Sequence, residues 1–365
     1  MSTVFNQDVV DHMTQPMFFG EATNVVRFET VKHQVFDDLT ERQLSFFWRP
    51  QEVDLTKDAI DFQQLSAREQ RIFTENLKYQ SLLDSIQGRG PNLALLPIAS
   101  DVALETWIET WSFSETIHSR SYTHMIRNVY PDPSAVFDQI MLTPQIMDRA
   151  SAVTKYYDKL LDAIVGYQFA PSKKSMTAAK KALYLCMHAI NALEAVRFYV
   201  SFACTFSFGE RKLMEGSSKI MKLIARDEQL HLKGTQYILR QWQNGKDDSE
   251  MAQIAIEMKE EAEALFVEMV GQENDWVDHL MVDGPIPMLN ASGLKSYVQY
   301  VANSRMKSVG LDPQFEKIAH PYPWMNKWLN SDSVQVAAQE AELSSYLVGQ
   351  MDSTIRPEFM KSLEV

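Results

Sequence analysis

Apolar positions recur three and four residues apart along most of this chain, and the strict alternation that marks a half-buried strand is almost absent. Only 13 glycines and 14 prolines interrupt 365 residues, and the gaps between them predict long helices. Ser66 and Glu69 have capping-box spacing for a helix that runs to Gln87, where Gly88 and Gly90 stop it. Asp101 opens the next, which reaches Tyr130 ahead of Pro131. A third covers residues 174–208 and ends at Gly209, and a fourth covers 211–242 with Asn244-Gly245 as its stop. Asp247 and Glu250 predict the start of a fifth that continues to Met281, and a sixth spans 291–308, ending near Gly310.

The predicted class is therefore all-α, with helices of about 25–30 residues where the globular mean is about 11 or 12. Such lengths suit a large bundle that holds a cofactor between its helices. Residues 1–335 read as one domain with an N-terminal extension, and 311–335 as an ordered extension rich in proline and tryptophan. From about Ala337 the pattern fades, so 336–365 reads as a flexible C-terminal tail.

Charge and cysteine content narrow the partners. A net charge of −13 argues against nucleic acid and against anionic membrane surfaces. Only Cys186 and Cys204 are present, both in apolar surroundings, which fits a reducing cytoplasm rather than a disulfide framework. The N-terminus MSTVFNQDVVDHM lacks an apolar export signal. The most apolar run, 182–208, carries His188, Asn191, Glu194 and Arg197, a set that fits a protein interior and not a lipid span.

The chemistry begins in SFSETIHSRSYTHM, where Glu115, His118 and Tyr122 share one face of the second long helix. Glu115-x-x-His118 recurs as Glu228-x-x-His231 in LIARDEQLHLKG, and no other histidine has a glutamate three residues before it. In ferritin-like carboxylate-bridged bundles two helices carry Glu-x-x-His, and each of the other two supplies one carboxylate. Upstream of Glu228 the candidate is Glu194, the one acidic residue between Ala182 and Gly209. A dry carboxylate of that kind needs a cation or a partner, and Arg197, one turn on, is the competing partner. Upstream of Glu115 the candidates are Glu69, Glu75 and Asp84. Asp84 lies 31 residues before Glu115 and Glu194 lies 34 before Glu228, and these near-equal offsets suggest two similar helical hairpins facing each other. Gln80, Ser81 and Gln87 share its face, however, and water would explain all of them equally well.

Four carboxylates and two imidazoles suit iron or manganese better than zinc or calcium. Tyr122 lies one turn beyond His118. Phe198 and Phe202, four and eight residues after Glu194, and Ile224, four before Glu228, share faces with the ligands and are expected to line the same cavity. A dry apolar cage of that kind protects a tyrosyl radical, because quenching requires water or a reductant to reach the oxygen.

Over nearly its whole length the chain resembles the radical-generating small subunit of bacterial class Ia ribonucleotide reductase. The resemblance runs through QLSFFWRP, NLKYQSLLDSIQGRGPN, ETWSFSETIHSRSYTHMIRN, NALEAVRFYVSFAC, LIARDEQLHL and SSYLVGQ. It implies metal ligands at Asp84, Glu115, His118, Glu194, Glu228 and His231, and the radical at Tyr122. It implies a relay through Trp48 and Asp227, continued by Glu340 and Tyr346 in the tail; by itself Trp48 reads as a packing aromatic. It further implies a homodimer, a μ-oxo di-iron centre in each chain, and docking of the C-terminal tail on a separate large subunit that reduces the ribonucleotide. Manganese is the other ion the donor set admits. Two other readings share the ligands: an oxygen-activating di-iron enzyme with its own substrate, and an iron-storage bundle. Neither has a use for Trp48, Asp227 and Tyr346 together.

Overall fold

The structure, a computed structural model, describes residues 6–330. Glu340 and Tyr346 lie outside the described residues. Within them the chain is helical, and its strand-like pairings are two isolated bridges, Phe18 with Ala99 and Ile286 with Leu289. No helix among the described residues is long and apolar enough to cross a membrane.

The main helices are α1 (Gln34–Ser45), α2 (Ala67–Gln87), α3 (Val102–Val129), α4 (Pro144–Phe169), α5 (Lys173–Ala192), α6 (Tyr199–Glu210), α7 (Glu215–Gln243), α8 (Ser249–Glu257), α9 (Lys259–Leu280) and α10 (Ala291–Ser308). Two hairpins form the centre. The α2–α3 pair packs against the pair made by α5–α6 and α7, while α1, α4, α9 and α10 cover its flanks. Where α7 crosses α3, glycine is required: a Cβ on Gly234 would lie 2.6 Å from the indole nitrogen of Trp107.

Three boundaries depart from the sequence expectation. The predicted third helix is two helices joined by a π-turn at Leu193–Arg197; such wide turns add a residue and re-aim side chains. α7 starts at Glu215 rather than near Arg211, because Asp58 caps it from outside. The Asp58 carboxylate accepts Gly216 N–H at 3.0 Å and Ser217 N–H at 2.6 Å, while Met214, at φ 50°, turns the chain into the helix. The predicted fifth helix is broken at Met258 into α8 and α9, and its cap is Asp248, which accepts Glu250 N–H at 2.9 Å. Asp247 instead accepts the N–H of Met17 at 3.0 Å and ties down the N-terminal segment. The expected capping box at Ser66 and Glu69 is present, as are the α3 cap at Asp101 and the helix Ala291–Ser308. The 26-residue helix α4 was not among the expected elements.

A buried ionic knot ties this outer layer to the core. Glu273 on α9 pairs with Arg149 of α4 and, at 3.3 Å, with Arg197 at the end of the π-turn. The Arg149 guanidinium lies 3.6 Å from the ring centre of Tyr79 and 4.5 Å from that of Trp276. Removing one partner of such a network strands buried charge, typically at about 3–5 kcal/mol. Glu273→Ala is therefore expected to lower the unfolding free energy by roughly that amount in a denaturant titration. A loss below about 1 kcal/mol, the size of an exposed pair, would refute the knot's role.

Candidate metal centre

The six ligand candidates enter the middle of the bundle from four places. α2 supplies Asp84, α3 supplies Glu115 and His118, the π-turn supplies Glu194, and α7 supplies Glu228 and His231. All six are at most 2% exposed. Their donor atoms form two groups, each with its atoms within 4.8 Å of one another: Glu115, Glu194, Glu228 and His231 in one, and Asp84, Glu115 and His118 in the other. Glu115 belongs to both.

Both imidazoles aim Nδ1 into the carboxylates. His118 Nδ1 is 3.1 Å from Glu115 Oε2 and 3.3 Å from Glu228 Oε1. His231 Nδ1 is 3.0 Å from Glu115 Oε1, 3.2 Å from Glu194 Oε2 and 3.3 Å from Glu228 Oε2. Glu194 does not pair with Arg197, whose guanidinium is taken by Glu273 and Gln272. The polar face around Asp84 is not wet either: Gln80 and Gln87 are fully buried and Ser81 nearly so.

Protons balance the charge of this cluster when no cation is present. Burial, and then the neighbouring Glu115 carboxylate, push the acid of Asp84 well above its usual range. Burial followed by Glu228 does the same to Glu194. Burial alone would depress the two imidazoles, but the surrounding carboxylates override it and push both well above the normal histidine value. Asp84 Oδ2 lies 4.0 Å from His118 Nδ1, which places it beside the same imidazole nitrogen. Four carboxylates contribute four negative charges, which two divalent cations with neutral imidazoles would cancel. The oxygen-rich donor set and the shared Glu115 fit a pair of such ions.

Around this cluster lie two contacts that the sequence reading passed over, and others that it named. Trp111, one turn before Glu115, donates its indole N–H to Glu115 Oε1 at 3.1 Å. Gln87, one turn after Asp84, donates to Glu194 Oε1 at 2.6 Å. Helical spacing puts each on a ligand face, and that was the available signal. Asp227 Oδ2 accepts two bonds, from Trp48 Nε1 at 2.9 Å and, with the proton on the distal nitrogen, from His118 Nε2 at 3.2 Å. The Trp48 and His118 rings stack with centroids 6.5 Å apart. Tyr122 is wholly buried. Burial, then the charge of Asp84, push its acidity well above the usual phenol value. Phe198, Phe202 and Ile224 are buried in the same continuous core, the two phenyl rings stacked at 5.9 Å.

The family model for the ribonucleotide reductase small chain matches residues 25–322. The ribonucleoside-diphosphate reductase 1 subunit beta of Escherichia coli O157:H7 is 52% identical over 373 residues, covering 100% of this chain and 99% of that protein. The corresponding subunit beta of Haemophilus influenzae is 54% identical over 363 residues, 97% of this chain and 96% of that one. A solved ribonucleotide reductase R2 subunit from Clostridium botulinum has the same fold, with a TM-score of 0.77, 24% identity, and coverage of 90% of this chain and 98% of that one.

Protons and metal compete for the same oxygens. Without metal, the raised pKa values of Asp84 and Glu194 mean that the folded state holds protons the unfolded state has released. Stability from this cluster therefore falls as pH rises above the ordinary carboxylate range. Metal displaces those protons, so the gain in melting temperature on adding Mn(II) to the chelated protein should grow from about pH 5 to about pH 7. A gain that is absent, or that shrinks over this interval, contradicts the assignment.

Proposed function

Since the chain belongs to the ribonucleotide reductase small-chain family, we propose that Asp84, Glu115, His118, Glu194, Glu228 and His231 hold two metal ions, iron in the first instance, beside a radical-bearing Tyr122. When bound, the metal pair supplies the one-electron oxidant generated from dioxygen. The protein's own groups do the rest. Tyr122 gives up an electron and the proton of its hydroxyl, and Asp84 is the base nearest to that proton. Phe198, Phe202 and Ile224 exclude water from the phenol.

The observation that carries this reading is the bridge from Trp48 through Asp227 to His118. Asp227 holds the imidazole with its proton on Nε2 and so leaves Nδ1 free for metal. The same oxygen holds the indole N–H of Trp48. A storage bundle needs no such chain of redox-capable groups leading away from its metal. As a small subunit the chain works with a large subunit, which binds and reduces the ribonucleoside diphosphate. We place Glu340 and Tyr346 at the far end of the relay, on the tail that docks there. Two reduced, buried cysteines and an acidic surface suit the cytoplasm.

We also assign a homodimer. Phe47 and Phe113 stack on each other at 6.4 Å while 41% and 56% exposed, next to a 57% exposed Leu44, on the outer face where α1 meets α3. Paired aromatics left in water mark an interface.

After iron(II) and oxygen are added, wild-type protein should give a stable tyrosyl electron paramagnetic resonance signal. Tyr122→Phe should abolish it with iron uptake unchanged, and a surviving signal would remove Tyr122 from this role. Asp227→Asn should keep the signal but lower ribonucleotide reduction with the large subunit at least a hundredfold, since loss of a carboxylate that holds a ligand imidazole often costs about 10–100-fold before any relay is broken. Phe113→Glu should shift the protein from dimer to monomer by light scattering; an unchanged mass would exclude this face as the contact.

A further inference from the structure

We propose that Tyr157 is a positioning residue that acts through Gln87 to fix the Glu194 carboxylate for metal binding. The inference rests on the reading of the carboxylate cluster as a metal centre and extends it to α4, an element that supplies no ligand.

The observations form one chain of contacts. Tyr157 donates its hydroxyl to Gln87 Oε1 at 3.0 Å, and Gln87 Nε2 donates to Glu194 Oε1 at 2.6 Å. All three side chains are buried, Tyr157 with 5% exposure and the others with none. An amide between a phenol and a carboxylate has one satisfactory orientation. Its NH₂ must face the carboxylate, so its oxygen must face a donor, and Tyr157 supplies that donor. With Oε1 of Glu194 held from behind, Oε2 is the oxygen left beside His231, at 3.2 Å.

The sequence makes room for this phenol at one point. A Cβ on Gly90 would lie 2.4 Å from Cζ of Tyr157, so any larger residue there pushes the ring away from Gln87. Gly90 opens a short helix, Gly90–Ala94, and supplies no candidate ligand, which makes it an independent handle on the same contact.

The test is a titration of the chelated full-length protein with Mn(II), free ion being read by its paramagnetic resonance signal. Wild type should take up two equivalents per chain. Tyr157→Phe should still take up two, one of them about tenfold more weakly, since outer-shell partners of this kind are worth about 10–100-fold in affinity. Gly90→Ala should reproduce that pattern by displacing the ring. In a Gln87→Leu background, Tyr157→Phe should change nothing further, because the contact it acts through is gone. An isotherm of Tyr157→Phe that overlays wild type overturns the proposal. So does an equal weakening in the Gln87→Leu background, which would reduce Tyr157 to a packing role. A wild-type protein that binds no manganese overturns the metal reading itself, and this inference with it.

Discussion

Four carboxylates and two imidazoles converge in a volume from which water is excluded, and the rest of the structure answers to that fact. Like charges at this spacing in a dry interior repel by many kcal/mol unless protons or cations join them. A bundle of ordinary packing strength, with a net stability of about 5–15 kcal/mol, cannot hold such a cluster ionised and bare. The raised pKa values of Asp84 and Glu194 are the metal-free escape, since each stays neutral by keeping its proton. Cation binding is the other escape, and it alone leaves the imidazoles neutral with Nδ1 available.

Holding the cluster in one geometry is then a mechanical task, and long helices are the means. Glu115, His118, Glu228 and His231 sit near the middle of α3 and α7, where both neighbouring turns restrain the backbone, and Asp84 sits in the last turn of α2; Glu194 alone is outside regular α-helix. It lies in the π-turn, and the far end of that turn is clamped by Arg197 to Glu273 on α9. A wider turn is locally weaker than α-helix, so the ionic knot that anchors it and the amide that holds its carboxylate act on the same weak point from two sides.

Much of this was legible in residue spacing. The repeated Glu-x-x-His and the lone acid at Glu194 mark three of the four helical segments that meet at the cluster, whereas Asp84 came from the resemblance, since water explained its polar face equally well. What spacing could not supply was the partner of each polar group. Gln87 looks solvent-facing in sequence because its acceptor lies 107 residues away, and Asp58 gives no local sign that it caps a helix more than 150 residues downstream. The π-turn has no signature of its own in an apolar run. Helix α4 was within reach: Ile146, Ala150, Val153, Tyr157, Leu160 and Ile164 are all buried at helical spacing. Its start at Thr143-Pro144 makes no side-chain cap, and without that punctuation the segment passed unread.

Tyr122 and Tyr157 show two ways in which a phenol can sit against this cluster, and both are buried. Tyr122 lies beside the carboxylate of Asp84, whose charge, after burial, resists ionisation of the phenol. Tyr157 donates its hydroxyl to Gln87, which in turn holds Glu194. One phenol is therefore tied to a neutral amide that fixes a carboxylate, whereas the other neighbours a carboxylate directly, the kind of group that can exchange a proton with it.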